Sequence, residues 1–442
     1  MRIHPACLVL AVVVTLTAGL TACGGGGDGG SPPLVAPSIS DLTYSPAAVY
    51  VNSGGGTGTV VGNFSYTDSN GGLASVNLGI TDASGATVTK TTLPVPAGTP
   101  PASGTLQGSV TFSTTVVGNY TIHVSVTDVA GLVSNELTGG FRIAPPAWVP
   151  KASNPKPMST GFFAAASGSR VYVIGSVIGG VTGPPGAVQI YDAAADSWTT
   201  GPTMLNAHPS SPVAAAANGV VYVIGGFDFA TQTAIATVDA LDTATGTWST
   251  KKAMSTPRNG AAATVINNRI CVVGGYSGGA VTGPAPALNS MECYDPVADS
   301  WSSGPAMPTG RMSLGFDAVG NSAYAVGGVC CYWPGSPPLA TVERYDAAAN
   351  AWSAISALPT VRSVPSVVGA AGLLFVIGGY GGTPSGLLTI VDAYDPSLAA
   401  WVVKTPMPSG MYNPHAVQVG GVIYVFDQQG LTWQYTPARD IL

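Results

Sequence analysis

Along the C-terminal two-thirds of the chain, apolar positions come in short bursts closed by glycine. Val221-Tyr222-Val223-Ile224 runs into Gly225-Gly226; a Leu241-Asp242 step and Trp248 follow. The phrase recurs. Its first glycine falls at Gly175, Gly225, Gly274, Gly327 and Gly378, and its aspartate at Asp192, Asp242, Asp295, Asp346 and Asp395. Trp198, Trp248, Trp301, Trp352 and Trp401 each lie six residues beyond that aspartate. A fixed grammar repeated about every fifty residues is a repeat architecture. Each unit predicts an apolar strand, a tight turn, a second strand ending in Gly-Gly, a third ending in Tyr-Asp or Leu-Asp, and a fourth bearing the tryptophan. The turns, such as Asn218-Gly219, Asn267-Asn268 and Gly420-Gly421, suit the positive φ of hairpins.

Four strands per unit, arrayed radially, make a propeller blade. The apolar run, Gly-Gly doublet, Tyr and Trp resemble the kelch repeat family, over about residues 146 to 442. After Trp401 comes Val422-Ile423-Tyr424-Val425-Phe426, with Asp427-Gln428 where glycines are expected, then Thr432-Trp433-Gln434-Tyr435 and no further fourth strand. Trp148 lies 50 residues before Trp198 and supplies the missing one. The expectation is all-β: a six-bladed kelch-type propeller closed by the strand near Trp148, which leaves few open edges.

Residues 36–144 follow another rhythm. Seven short alternating strands are predicted: Ser38 to Tyr44, Thr59 to Thr67, Ser75 to Thr81, Val88 to Pro94, Gly108 to Ser113, Tyr120 to Thr127 and Gly140 to Ile143. That density of strands reads as a β-sandwich. The run from Gly118 to Asp128 resembles bacterial immunoglobulin-like or cadherin-like modules, and Asp68-Ser69-Asn70-Gly71 reads as a turn. Pro145-Pro146 marks the boundary.

The first 22 residues read as an address. Arg2 is followed by an apolar stretch from Ala6 to Leu20, and Leu20-Thr21-Ala22-Cys23 resembles a bacterial lipobox with Cys23 as the lipidated residue. An ordinary signal peptide or a short anchor is the alternative. Residues 23–35 form a Gly-rich tether. Gly24 after the cysteine points, by resemblance to sorting rules in Gram-negative lipoproteins, to the outer membrane. The expected location is the cell envelope, held through the lipid anchor, with the sandwich as a spacer. The composition agrees: 59 Gly and 36 Pro suit a turn-rich β-protein, and a net charge of −6 gives no basic footprint for nucleic acid.

The resemblance places ligand pockets on the face bearing two sets of loops. The set after the second strands carries Asp228, Tyr276, Tyr332, Trp333, Tyr380 and Asp427. The set before the first strands carries Phe162-Phe163, His208, Arg258, Arg311, Arg362, Tyr412 and His415. Three arginines recur in register, and a guanidinium suits planar anions such as carboxylates. The competing expectation is that they bond backbone carbonyls between blades. Cys271 and Cys293 lie on neighbouring strands and are expected to pair; a loop of that length contributes roughly 3 kcal/mol in the entropy model. That leaves the adjacent Cys330 and Cys331, either a vicinal disulfide or two thiols, beside a Tyr332-Trp333 shelf.

Catalytic side chains are sparse. Beyond the leader the histidines are His123, His208 and His415, with no Tyr-His pair, too few for a copper-radical oxidase of the galactose oxidase type. The propeller's two glutamates, Glu292 and Glu343, lie beside Tyr-Asp steps, where side chains are structural. No phosphate loop, zinc signature or nucleophile elbow is present, and no cofactor or metal is expected. The expected function is therefore binding, by a monomer, of a glycan (acidic if the arginines face it) or an envelope protein. The alternatives are a protein-interaction scaffold and a sugar mutarotase or epimerase using Asp228, Asp427 or His208.

Overall fold

The computed structural model describes residues 34–440, apart from positions 47, 51–56, 70, 96–101, 114–116, 145, 157–160, 176–185, 207, 209, 229, 280–284, 333–335, 382–385, 412 and 438–439, together with the backbone of Thr17–Gly19. Cys23, Trp333 and Tyr412 lie outside the described residues. The chain is all-β and divides into two compact units, residues 1–146 and 147–440.

The first unit has two sheets. One runs in the order Thr17–Gly19, Ser103–Ser113, Thr57–Thr67, Ser38–Ser45; the other Ala48–Tyr50, Leu137–Ala144, Gly118–Asp128, Leu73–Asp82, Thr87–Pro94. The seven predicted strands are all present. Alternation decides the packing: Val60, Phe64, Leu106 and Val110 of one sheet meet Leu78, Ile80, Val124 and Val126 of the other in one buried cluster. Two short strands were not foreseen. Ala48–Tyr50 pairs in parallel with Leu137–Ala144, and Thr17–Gly19, inside the stretch read as a leader, pairs with Ser103–Ser113.

The second unit contains, among the described residues, six four-stranded antiparallel sheets. The first strands of the first five are Phe163–Ser167, Val213–Ala217, Ala262–Ile266, Gly315–Val319 and Ser366–Ala370. The sixth sheet joins His415–Val419, Val422–Phe426 and Thr432–Tyr435 to Trp148–Pro150 from the other end of the unit, with Trp148 opposite Tyr435. Each first strand packs against the next, and the sixth packs against the first, so the circuit closes. Small residues make that convergence possible. Ala165, Ala215, Ala263, Ala318, Gly369 and Ala416 are among the residues lining a channel of about 360 Å³ between the six strands.

Each letter of the repeat has a mechanical role. The tryptophans bond from one sheet to the one before: the indole N–H of Trp148, Trp198, Trp248, Trp301, Trp352 and Trp401 donates to the carbonyl of Thr405, Ala152, Pro202, Lys252, Pro305 and Ser356 respectively. Tyrosines of the third strands pack on them, with ring centroids 4.7 Å apart for Trp148–Tyr435 and 5.2 Å for Tyr294–Trp301. The turn aspartates cap their own hairpins: Asp242 Oδ1 accepts from the N–H of Ala244 and Thr245 at 2.9 and 3.0 Å, and Asp192, Asp295, Asp346 and Asp395 do the same. The Gly-Gly doublet answers a crowding problem. Gly226 donates to the carbonyl of Arg258, and Gly275 to that of Arg311. A Cβ on Gly225, Gly274 or Gly327 would press into the carbonyl of Arg258, Arg311 or Arg362.

Candidate functional site

The six first strands begin around a cavity of about 570 Å³, the mouth of the circuit. One backbone position in each approach is left-handed: Gly161, Ser211, Gly260, Ser313, Val364 and Asn413, with φ between 48° and 94°. Four are not glycine, and Val364 is β-branched, the residue type least at home there. A chain of backbone bonds holds them. Gly260 N–H donates to Ser211 O at 3.3 Å, Ser313 N–H to Gly260 O at 2.8 Å, and Val364 N–H to Ser313 O at 2.8 Å. The kink turns hydroxyl-bearing Ser210, Ser211, Ser313 and Ser363, and Asn413, toward the cavity. This ring recurs with the same period near fifty. In the sequence it is readable only as the residue two beyond each recurrent arginine, and the residue types at Ser211, Ser313 and Val364 do not announce it.

Phe163, Tyr380, Leu387 and His415 complete the wall. Tyr380 is 47% exposed. His415 lies between Phe162 and Phe163, at centroid distances of 4.7 and 4.6 Å, and its Nε2 has no hydrogen-bond partner among the described residues. Burial among these rings pulls its pKa down to about 3, so the imidazole is neutral at physiological pH. Among the described residues, no carboxylate, lysine or arginine lines the cavity.

The arginines expected at this pocket are inside the walls. Arg258, Arg311 and Arg362 are at most 1% exposed. Arg258 Nη2 meets Glu292 Oε1 at 2.8 Å while Nη1 donates to the carbonyls of Gly274 and Ser290. Arg311 Nη2 meets Glu343 Oε2 at 2.8 Å and Nη1 donates to Gly327 O and Thr341 O. Arg362 pairs with Asp392. Burial alone would raise Glu292, but the Ser255 hydroxyl and Arg258 hold it below the usual carboxylate range. His208 plays the part in the second sheet. Its Nδ1–H donates to Gly225 O at 2.7 Å, and Nε2 lies 3.4 Å from Asp239, too poorly aimed to count as a hydrogen bond. A buried guanidinium clamped to a third-strand carboxylate is thus a threefold feature of the repeat, with the His208 imidazole beside Asp239 in the matching place of the second sheet. The reading of the arginines as carboxylate receptors gives way to the backbone role, because no guanidinium reaches the cavity.

The other expected residues disperse. Asp228 caps a turn through Ala230 N–H and the Thr231 hydroxyl, which hold its pKa low. Tyr276 is buried, its hydroxyl donating to Gly279 O at 3.1 Å. Asp427 is buried and accepts from Leu431 N–H at 2.7 Å; burial raises its pKa. Neither aspartate nor His208 lines the cavity, so the three proposed acid–base groups are not brought together. The backbone of Tyr332 pairs with Ala285. Of the residues expected on the pocket loops, Phe163, Tyr380 and His415 are placed on the cavity among the described residues. Cys271 and Cys293 face each other across neighbouring strands and form a disulfide. Cys330 and Cys331 are thiols 3.0 Å apart, not a vicinal disulfide.

The repeats are similar to those of known proteins. The Kelch motif model matches residues 208–255, 257–308 and 362–408. Human Kelch-like protein 34 is 31% identical over 140 residues, 30% of this chain and 21% of that one. Human Kelch-like protein 25 is 33% identical over 134 residues, 29% and 22% of the two chains. The chain thus spans about a fifth of the length of these curated relatives. The solved structure of YjhT superposes with a TM-score of 0.55 at 15% identity, covering 64% of this chain and 95% of that one. That likeness carries the fold, a β-propeller. With these motifs falling on successive four-stranded sheets, the chain carries kelch repeats.

Proposed function

We propose that the chain is an envelope-anchored binding module: a six-bladed kelch propeller on an immunoglobulin-like domain, tethered through Cys23, that takes an uncharged glycan in the cavity at the mouth of the ring. The observation that carries the ligand class is the cavity wall. It offers serine hydroxyls, Asn413, a neutral imidazole and one exposed tyrosine ring, with no charge among the described residues. Sugar hydroxyls suit such neutral donors and acceptors, and the C–H face of a sugar suits Tyr380. The same wall disfavours an acidic glycan, whose carboxylate finds no cation there.

A second reading, a protein-interaction scaffold, draws on the apolar lip. Val361, Val364, Tyr380 and Leu387 are each between 37% and 47% exposed, and a protein segment would cover them. A glycan array probed with residues 31–442 separates the two. Neutral glycans are expected to bind, and Tyr380→Ala to weaken them about tenfold, the worth of one stacking contact. A blank array, or hits confined to acidic glycans, overturns the glycan reading. Cross-linking to an envelope protein that Tyr380→Ala abolishes would favour the scaffold.

A further inference from the structure

Cys330 and Cys331 follow the second strand of the fourth sheet, and their geometry is that of a reaction site. Cys330 is exposed and Cys331 half-buried. Their sulfurs are 3.0 Å apart. The Ser336 hydroxyl lies 3.2 Å from Cys331 Sγ and 3.1 Å from the Cys331 carbonyl, so its single proton turns to the sulfur when that sulfur is a thiolate. The two sulfurs are therefore unequal. The Ser336 hydroxyl, then the Cys330 thiol, lower the pKa of Cys331, and the bond to Cys331 followed by burial raises that of Cys330. The backbone is held too: Cys331 pairs with Pro286, and Ala287 N–H donates to Cys330 O at 3.1 Å. An attacking thiol with a stabilised thiolate, beside an accessible second thiol, is the arrangement that thiol–disulfide exchange requires.

We infer that Cys330–Cys331 is a thiol–disulfide exchange site, with Cys331 attacking and Cys330 resolving, whose substrates are small or exposed disulfides. Cys331 thiolate attacks one sulfur of R–S–S–R, forming a mixed disulfide and releasing RS⁻. Cys330 loses its proton and attacks Cys331 Sγ, forming the vicinal bond and releasing the second RS⁻. Two protein thiols give up two electrons and two protons, and the small disulfide leaves as two RSH. A dithiol reductant reverses the sequence. The inference is independent of the cavity and of its ligand. The Cys271–Cys293 bond is buried and serves as the internal control, since both its cysteines are at most 9% exposed.

The test uses residues 31–442 in glutathione buffers of graded ratio, with acid quench, alkylation and peptide mass mapping. The 330–331 peptide is expected to lose two hydrogens in a single step that follows the buffer ratio, while Cys271–Cys293 stays closed. Cys330→Ser is expected to stop at a stable glutathione adduct on Cys331. Cys331→Ser should leave Cys330 reacting about tenfold more slowly, and Ser336→Ala should slow attack severalfold by reducing the thiolate fraction. Two separate glutathione adducts on the wild-type pair, with no intramolecular bond at any ratio, overturn the inference. So does equal reactivity of Cys330 and Cys331 in the single variants.

Discussion

Arg311 is fully buried, and its two terminal nitrogens are shared among Glu343 and the carbonyls of Gly327, Thr341 and Ala325. Truncation leaves Glu343 as an unpaired charge in the wall. Breaking such a pair from one side costs about 3–5 kcal/mol. Arg311→Ala is therefore expected to unfold at a markedly lower denaturant midpoint; a variant of wild-type stability that merely fails to bind would show the guanidinium faces a ligand after all. His415 gives a second prediction at this scale. Its native pKa of about 3 lies below the ordinary 6.5, so between those values the unfolded chain holds a proton that the native chain does not. Stability then falls as pH drops from 6.5 toward 3, at up to about 1.4 kcal/mol per pH unit for one proton. The turn aspartates add a separate loss at lower pH, because their backbone bonds hold their native pKa values down. Between pH 4.5 and 6.5 the imidazole is distinguishable: urea midpoints of His415→Gln should run flatter with pH than wild type. Parallel slopes would mean the ring is solvated.

At the scale of the element, the sequence carried the strands because each repeat unit states its own turn chemistry. Asn218-Gly219 and Gly420-Gly421 take positive φ as their composition requires, and the aspartate six residues before each tryptophan caps the next hairpin. What stayed hidden was the pairing between units. The carboxylates Asp239, Glu292, Glu343 and Asp392 each stand three residues before a turn aspartate, the same period as the arginines, yet strand spacing alone does not say which loop folds over which sheet. The left-handed ring was hidden for a related reason: Ser211, Ser313 and Val364 are not residues whose type announces positive φ. The Gly-Gly doublets were legible as close approaches, and two glycines test why. Gly274 and Gly420 share a left-handed backbone, with φ of 66° and 59°, but a Cβ on Gly274 strikes Arg311 O and Leu314 whereas one on Gly420 meets nothing within 4 Å. Gly420→Ala should cost only the left-handed penalty of about 1–2 kcal/mol. Gly274→Ala should cost clearly more in the same thermal melt. Equal losses would mean that φ alone, not the neighbouring sheet, selects glycine.

For the whole molecule, the seam is where the two ends of the propeller unit meet. Trp148–Pro150 is the outer strand of a sheet whose other three strands come from the far end of the sequence, and Trp148 is 6% exposed. Its ring packs on Tyr435 at 4.7 Å, and its indole N–H donates to Thr405 O in the neighbouring fifth sheet. One side chain therefore joins two sheets and both ends of the chain segment that makes the ring. In a closed circuit each sheet is buried between two neighbours, so opening one seam exposes two faces and weakens every remaining contact by letting the ring splay. Removing a buried tryptophan costs about 3–5 kcal/mol through lost burial and the cavity left behind. The loss in Trp148→Ala should be felt everywhere at once: hydrogen exchange in the second strands of the third and fourth sheets, Arg269–Val273 and Ser322–Val326, is expected to accelerate together with that in Val422–Phe426. If exchange quickens only in the sixth sheet while the far strands keep their protection, the repeats hold one another as a linear stack, and the clasp is a local patch, not the lock of the ring.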